Sequence, residues 1–270
     1  MVGSLRTEAF FQRLKTEHQD WLSTFHPQYR TNWEKLINAD EEAALAEARI
    51  RQLLQGHGIA VEPNEDLTGA MPSPDFRCNV DHYKFYVEVT CIPIAVAAEK
   101  TGIPYEPPES FLIRPLNDAV FAKCCEKAPQ CKNLDAPALV AIGTFHEAAA
   151  TCTFTKKQLN WILTGEPKIG QMINSKTGKL GDTRRITKLQ NTTFLDPHRE
   201  NWLARRSISG VLLCGLAPED SLAIGALHPN PARPFDPAIL PQVEFAQVVV
   251  NQTSRQLRVD WPKENDEYAA

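Results

Sequence analysis

Apolar positions recur at helical spacing in the first sixty residues and then alternate with polar ones in two short adjacent runs, a change of period that predicts helices followed by a sheet. Between Leu5 and Leu36 the residues Phe10, Phe11, Leu14, Trp21, Leu22, Trp33 and Leu36 are set among charges, and the pattern breaks at His26-Pro27. Two short helices that lie over the domain as a lid are predicted there. Residues 1–38 thus read as an N-terminal helical extension and 39–270 as the domain it belongs to, together one globular unit. Asp40-Glu41-Glu42 opens a clearer helix, with acids in its first turn, Leu45, Ile50, Leu53 and Leu54 on one face, and Gly56-His57-Gly58 at its end.

A short strand, Ile59 to Val61, and a loop rich in Pro, Gly, Asn and Asp follow. Asp75 to Val80 and Tyr83 to Cys91 alternate around Asp81-His82 and predict a β-hairpin. Pro93 to Pro108 reads as a loop with a helical turn, Pro115 to Ala128 as a helix, Leu139 to Thr144 as a buried strand, and Thr155 to Leu163 as a helix closed by Gly165. Glu166 to Pro197 is polar and reads as a mobile loop. Ser207 to Leu216 and Leu222 to Leu227 form a second strand pair, the proline-rich stretch His228 to Pro241 is extended, and Gln242 to Val250 is a last strand near the edge. The sum is an α/β fold with a mixed central β-sheet flanked by helices.

With 270 residues, 43% of them hydrophobic, the chain can bury one sizeable core. The longest apolar runs are strand-sized, so no membrane span is expected, and the charged first thirty residues lack the apolar centre of a signal peptide. Seven cysteines, an odd number with no Cys-x-x-Cys pair, fit a reducing, cytoplasmic setting. Cys124, Cys125 and Cys131 cluster in sequence, but a zinc site would need a partner such as His146 from elsewhere, and free thiols are the simpler reading. A net charge of −4 argues against polyanion binding over the whole surface. The segment from Glu166 to Arg206 departs from this balance, with nine Lys and Arg against four Asp and Glu. Lys176, Lys179, Arg184, Arg185 and Lys188, bordered by Trp161 and Trp202, are therefore candidates for contact with a nucleic-acid backbone.

The chemistry-bearing positions are three acids in order: Glu47 on a helix, Asp75 after Pro74 where a strand opens, and Glu88 near the end of the next strand. Antiparallel pairing brings Asp75 and Glu88 to the same end of the sheet, where their hard oxygens suit magnesium or manganese. Each acid has a plainer reading. Glu47 could be a solvated helix charge and Asp75 a turn residue. An acid flanked by Tyr86, Val87, Val89 and Ile92 is harder to explain without a partner or a metal. Neither a Gly-x-Ser-x-Gly elbow nor a Gly-x-x-x-x-Gly-Lys loop occurs, which argues against acyl transfer and P-loop nucleotide hydrolysis.

In this order the stretches Leu45-Ala46-Glu47 through Gly58-Ile59, Pro74-Asp75-Phe76 and Tyr86-Val87-Glu88-Val89-Thr90 resemble the PD-(D/E)XK, or restriction-endonuclease-like, nuclease superfamily over roughly residues 41 to 145. The resemblance implies a restriction-endonuclease-like fold and a divalent-metal-dependent nuclease using Mg2+ or Mn2+. In it Glu47, Asp75 and Glu88 are metal ligands, DNA is favoured over RNA as substrate, and restriction, repair or defence is the setting. The sequence departs from the family at Thr90, which stands where a lysine would orient the attacking water. Divergent members carry that lysine on the following helix. Here Lys123 and Lys127 lie one turn apart, with Lys123 the first choice and Lys100 and Lys84 weaker ones. A homodimer or partner protein is compatible with the sequence but has no heptad or apolar patch to mark it. Two rivals remain: a catalytically weakened nucleic-acid-binding or scaffold protein of the same fold, and an interaction protein presenting its proline-rich stretch.

Overall fold

The computed structural model describes residues 2–67, 72–104, 116–165, 167–173, 177–187, 192–196, 198, 203–218, 222–251 and 256–261, with the backbone alone for 2–7, 167–173, 180–187, 222–223, 251 and 256–257. In chain order the elements are α1 (Val2–Leu22), α2 (Pro27–Ala39), α3 (Glu41–Gly56), β1 (Ala60–Pro63), β2 (Phe76–Val80), β3 (Tyr83–Cys91), α4 (Ile94–Thr101) and α5 (Asn117–Lys127). They continue with β4 (Ala138–Thr144), α6 (Glu147–Thr153), α7 (Lys156–Thr164), β5 (Pro167–Ile173), β6 (Leu180–Thr187), β7 (Gly210–Gly215), β8 (Leu222–Leu227), β9 (Glu244–Asn251) and β10 (Gln256–Asp260).

Eight strands form one mixed sheet in the order β1-β2-β3-β4-β7-β8-β9-β10, an α/β arrangement with helices against both faces. The centre, β3-β4-β7, is parallel, and β4 is buried at every residue, as a strand covered on both faces must be. Alternation along β3 divides the core. Val87 and Val89 pack with Leu45, Ile50 and Leu54 of α3, while Tyr86 packs with Val120 and Cys124 of α5 and Leu159 of α7. The helices α3 and α5 therefore lie on opposite sides of the strand that carries Glu88.

The start of α3 is set by Asp40, whose side chain accepts the Ala43 amide at 3.0 Å, and by Glu41 and Glu42 in the first turn, where negative charge complements the helix dipole. Its end comes at His57-Gly58, with Gly58 in the left-handed region at φ 77°. The break between α1 and α2 falls at His26-Pro27, where Pro27 occupies the first turn and His26 Nδ1 accepts from the Gln28 amide at 3.2 Å. The first helix is longer than the sequence suggests, at 21 residues. Phe10, Leu14, Leu22 and Trp33 join the same buried cluster as α3 and the sheet, so the N-terminal helices are packed into the domain as well as over it.

Several boundaries need correction. The polar segment after Gly165 is not simply a loop, since β5 and β6 pair within it as an antiparallel hairpin. The short helix α6 has no periodic apolar face to announce it and is set by its cap, His146 Nδ1 accepting from the Ala149 amide at 3.2 Å. The strand β9 stands near the edge as expected, parallel to β8, but it is not the last, since β10 follows it and forms the edge. The proline-rich stretch is anchored by buried Phe235, by the Asp236 amide donating to Tyr83 Oη at 2.9 Å, and by His228 Nε2 against the Ala204 carbonyl at 2.8 Å. No helix among the described residues is long and apolar enough to cross a membrane.

A buried histidine ties α1 to α3. His18 Nδ1 accepts from Arg51 Nε at 3.2 Å between the rings of Trp21 and Trp33, and burial, with the neighbouring Arg51 charge, holds its pKa well below the usual value. The unfolded chain then takes up this proton before the native state does. The contribution is intact above about pH 6.5 and is lost as pH falls below it, by up to about 1.4 kcal/mol per pH unit. Urea melts across pH 7.5 to 5.5 should show the gap between wild type and His18→Asn, which cannot titrate, closing as pH falls. A gap independent of pH would contradict a neutral His18.

Candidate metal centre

The carboxylates gather where β2 begins. Phe76 pairs with Val87, so one further step of the antiparallel register sets Asp75 across from Glu88. Asp75 Oδ2 accepts the Val89 amide at 2.6 Å, which tethers this carboxylate to β3 beside Glu88. Glu88 itself is fully buried, on the face of β3 that it shares with Tyr86 and Thr90.

Lys127 supplies the nearby cation. It follows Val120 and Cys124 at helical spacing on the buried face of α5, and its Nζ lies 2.7 Å from Glu88 Oε1. This ion pair is the contact that joins the buried Glu88 carboxylate to α5. Lys123, favoured from sequence, does not reach Glu88. It pairs with Glu126 at 3.3 Å and lies in the electrostatic field of Cys91, three residues further along β3. A step of one turn back along α5 thus moves the ammonium along the strand and away from the acids. Lys84 pairs with Asp135 at 2.5 Å, and Lys100 is exposed in the last turn of α4.

The electrostatics are dominated by negative charge crowded around the fully buried Glu88, with Glu47 and Asp75 half-buried beside it. Burial, then the nearby Asp75, raises the Glu88 pKa to about 9, against the pull of Lys127. Burial also raises Asp75, to about 6, with the Val89 amide and Lys127 opposing. Glu47 is raised well above the usual carboxylate range by burial and then by Asp75, Glu65 and Glu88. For Lys127, burial works against the ammonium, but attraction to Glu88, Asp75 and Glu126 outweighs it and its pKa is raised. Raised carboxylates beside a raised lysine describe one shared situation: the ammonium stays charged, and a single cation does not offset burial and mutual repulsion, so the carboxylates stand above their usual pKa range.

Glu65, in the loop after β1, belongs to this field and was not singled out from sequence. Its pKa is raised by burial, and it accepts from Asn32 Nδ2 at 3.1 Å. The signal that could have found it is the β1–β2 register, because Asn64 continues the ladder opposite Asp75.

In kind, the residues fit a hard divalent cation. They offer carboxylate oxygens in excess of positive charge, and in Glu88 a fully buried carboxylate whose neighbouring cation is the Lys127 ammonium. Among the described residues no three His, Cys, Asp or Glu side chains already stand close enough together to hold an ion, so the set is matched in charge before it is closed in geometry.

The other candidates stand apart. Lys179 is exposed beside the turn of the β5–β6 hairpin, Arg184 and Arg185 are successive residues of β6 whose side chains are outside the description, and Lys176, Lys188 and Trp202 lie outside the described residues. Trp161 is half-buried with Lys157 Nζ 5.3 Å from its ring centroid. All seven cysteines are free thiols, and Cys131, buried beside the acids, has its pKa pushed up by burial and then by Glu88. A cleft of about 490 Å³, lined by Leu203, Ser209, His228, Pro231, Phe235 and Val249 among others, is flanked by the proline-rich stretch and holds none of the clustered carboxylates.

Comparison of the chain with models of protein families, with curated proteins and with solved structures gives no match.

The raised carboxylates make a signed prediction. With chelator present, the native state keeps protons that the unfolded chain has released, so the carboxylates' contribution to stability is greatest in acid and falls as pH rises from about 4.5 through the native values. Thermal melts from about pH 6.5, above which the His18 contribution is constant, to about pH 9 should show a falling midpoint in EDTA, a shallower fall in Asp75→Asn, and recovery on adding Mg2+ or Mn2+. Identical pH profiles for wild type and Asp75→Asn would refute the shared negative field.

Proposed function

We propose that this chain is a divalent-metal-dependent nuclease of the PD-(D/E)XK type, acting on phosphodiester bonds of nucleic acid, with DNA preferred over RNA. One observation carries the reading: Asp75 and Glu88 face each other across two paired strands with the Lys127 ammonium 2.7 Å from Glu88. This set of two acids and a lysine is what metal-assisted hydrolysis of a phosphodiester needs. Thr90 cannot supply the cation that the resemblance expects at its position, and Lys127 supports the reading by bringing one from α5.

Asp75 and Glu88 would hold Mg2+ or Mn2+, with Glu47 contributing directly or through water. The bound ion supplies Lewis acidity toward a phosphate oxygen and a lowered pKa for a coordinated water. Lys127, fixed by its ion pair, orients the attacking water and balances charge developing on the phosphate. Tethering of the Asp75 carboxylate by the Val89 amide keeps it from swinging away as the substrate's own negative charge arrives. The β5–β6 hairpin, with Lys179 exposed beside its turn, is the surface to which we assign contact with the nucleic-acid backbone.

Cleavage of supercoiled, linear duplex and single-stranded DNA, and of RNA, with Mg2+ or Mn2+ tests the reading. Asp75→Ala and Glu88→Ala should abolish it, Lys127→Ala should slow it by at least about 100-fold, and Lys123→Ala should remain close to wild type. Folded wild type that binds nucleic acid without cleaving any substrate would favour the scaffold alternative, and loss of activity in Lys123→Ala but not Lys127→Ala would overturn the assignment of the lysine.

A further inference from the structure

The cleft beside the proline-rich stretch is bounded by a strand without a partner on that side. Strand β8 pairs with β9 from Ile224 with Glu244 to Leu227 with Gln247 and no further, whereas β10 follows β9 on its other side as far as Asn251. The phase of the hydrogen bonds explains where β8 stops. His228 donates its amide to the Ser209 carbonyl at 2.9 Å, on the β7 side, so Leu227 and every second residue from it face β9. The next residue due to donate to β9, at the Val248 carbonyl, is Pro229, and the one after it, at the Val250 carbonyl, is Pro231. Neither has an N–H to give. The chain leaves the sheet there, held by His228 Nε2 against the Ala204 carbonyl and by Arg206 Nε, which donates to the Asn230 carbonyl at 2.9 Å.

The space so opened is the cleft of about 490 Å³, lined by Val248, Val249 and Val250 and by Pro229, Pro231 and Pro234. By the same phase Val248 and Val250 turn their peptide groups to the β8 side, and Val249 turns its own to β10. Among the described residues nothing on the β8 side bonds to the Val248 carbonyl or to the amide and carbonyl of Val250. Acceptor, donor and acceptor thus stand in a recess, while the open edge of the sheet is β10. A second polypeptide backbone matches that alternation, whereas a phosphodiester chain brings acceptors and cannot meet two carbonyls. Leu203, Leu227 and Phe235 make the lining apolar, and Val249 is 42% exposed, one of two large apolar side chains so exposed among the described residues. No described Asp or Glu lines the cleft, and exposed Arg206 and Arg233 stand at its margin, the first bonded to Asn230 and the second adjoining Pro234. Such a margin is complementary to acidic residues on either side of an apolar one.

We propose that the cleft binds an extended acidic segment of a partner protein, which adds to β9 along Val248–Val250 in the place that Pro229 and Pro231 deny to β8. Its apolar centre lies against Phe235 and Leu227, and its acids meet Arg206 and Arg233. This inference stands independently of the metal-centre reading, since the cleft holds none of the clustered carboxylates.

Affinity selection by the full chain from two pools of capped heptapeptides, with varied central residues between paired aspartates or between paired lysines, tests the claim. The aspartate pool should be enriched in peptides with apolar centres. N-methylation of the alternate amides that face β9 should weaken the best of them by at least about tenfold, and its binding should slow hydrogen exchange at the Val250 amide. Arg206→Glu combined with Arg233→Glu should turn the preference to the lysine pool, a gain that a misfolded variant cannot show. No enrichment from the aspartate pool, or enriched peptides indifferent to N-methylation and to the charge reversal, would overturn the proposal. So would a Val250 amide already protected in the free chain. Protection that grows with protein concentration would give the cleft to a second copy, and protection lost on truncation after Trp261 would give it to the chain's own residues 262–270. Protection of Val250 by an oligothymidylate and by neither pool would give it to nucleic acid and equally overturn the peptide.

Discussion

Excess negative charge gathered around one fully buried carboxylate, Glu88, is the constraint on which the rest of this structure turns. Four carboxylates, Glu47, Glu65, Asp75 and Glu88, share a field in which Lys127 is the ammonium that reaches Glu88. Burying an acid without full compensation opposes folding, so a chain that keeps several together must stabilise them elsewhere. The compensation lies in the surrounding core: a central strand, β4, buried along its whole length, α3 packed on one face of β3, and α5 on the other. Placing acids at the cost of stability is characteristic of a site kept for function.

The topology explains how residues so far apart in sequence meet. Antiparallel pairing of β2 with β3 sets Asp75 opposite Glu88, and the parallel crossover from β3 to β4 returns α5 along the sheet so that its last turn reaches Glu88. Glu47 enters from α3, and Glu65 from the loop that extends the β1–β2 ladder. The β1–β2–β3 side of the sheet and the two helices that sandwich β3 thus converge on one strand end. The far side, β8-β9-β10, contributes packing and none of these acids.

Much of this was legible in the sequence because it depends on local pattern. Alternation gave the β2–β3 hairpin to within a residue at either end, acids after Asp40 gave the start of α3, and the cost of an acid in a core-like strand singled out Glu88. What could not be read depends on how elements are placed in space. Lys123 and Lys127 are equivalent in helical phase, and only the direction in which α5 runs back along β3 decides that Lys127 meets the acid. Glu65 lies in a loop without periodicity, and its orientation comes from Asn32, 33 residues earlier. The hairpin β5–β6 was hidden by its polar composition, since a two-stranded ribbon needs no apolar face of its own to be written into the sequence.

The central claim is that Asp75 and Glu88 hold a divalent cation with Lys127 beside them. The most direct measurement is anomalous diffraction at the manganese edge from crystals of the full chain soaked in MnCl2. The account predicts a peak at about 2.0 to 2.6 Å from carboxylate oxygens of both Asp75 and Glu88. Well-ordered Asp75 and Glu88 with no peak between them, and Lys127 alone against Glu88, would contradict it.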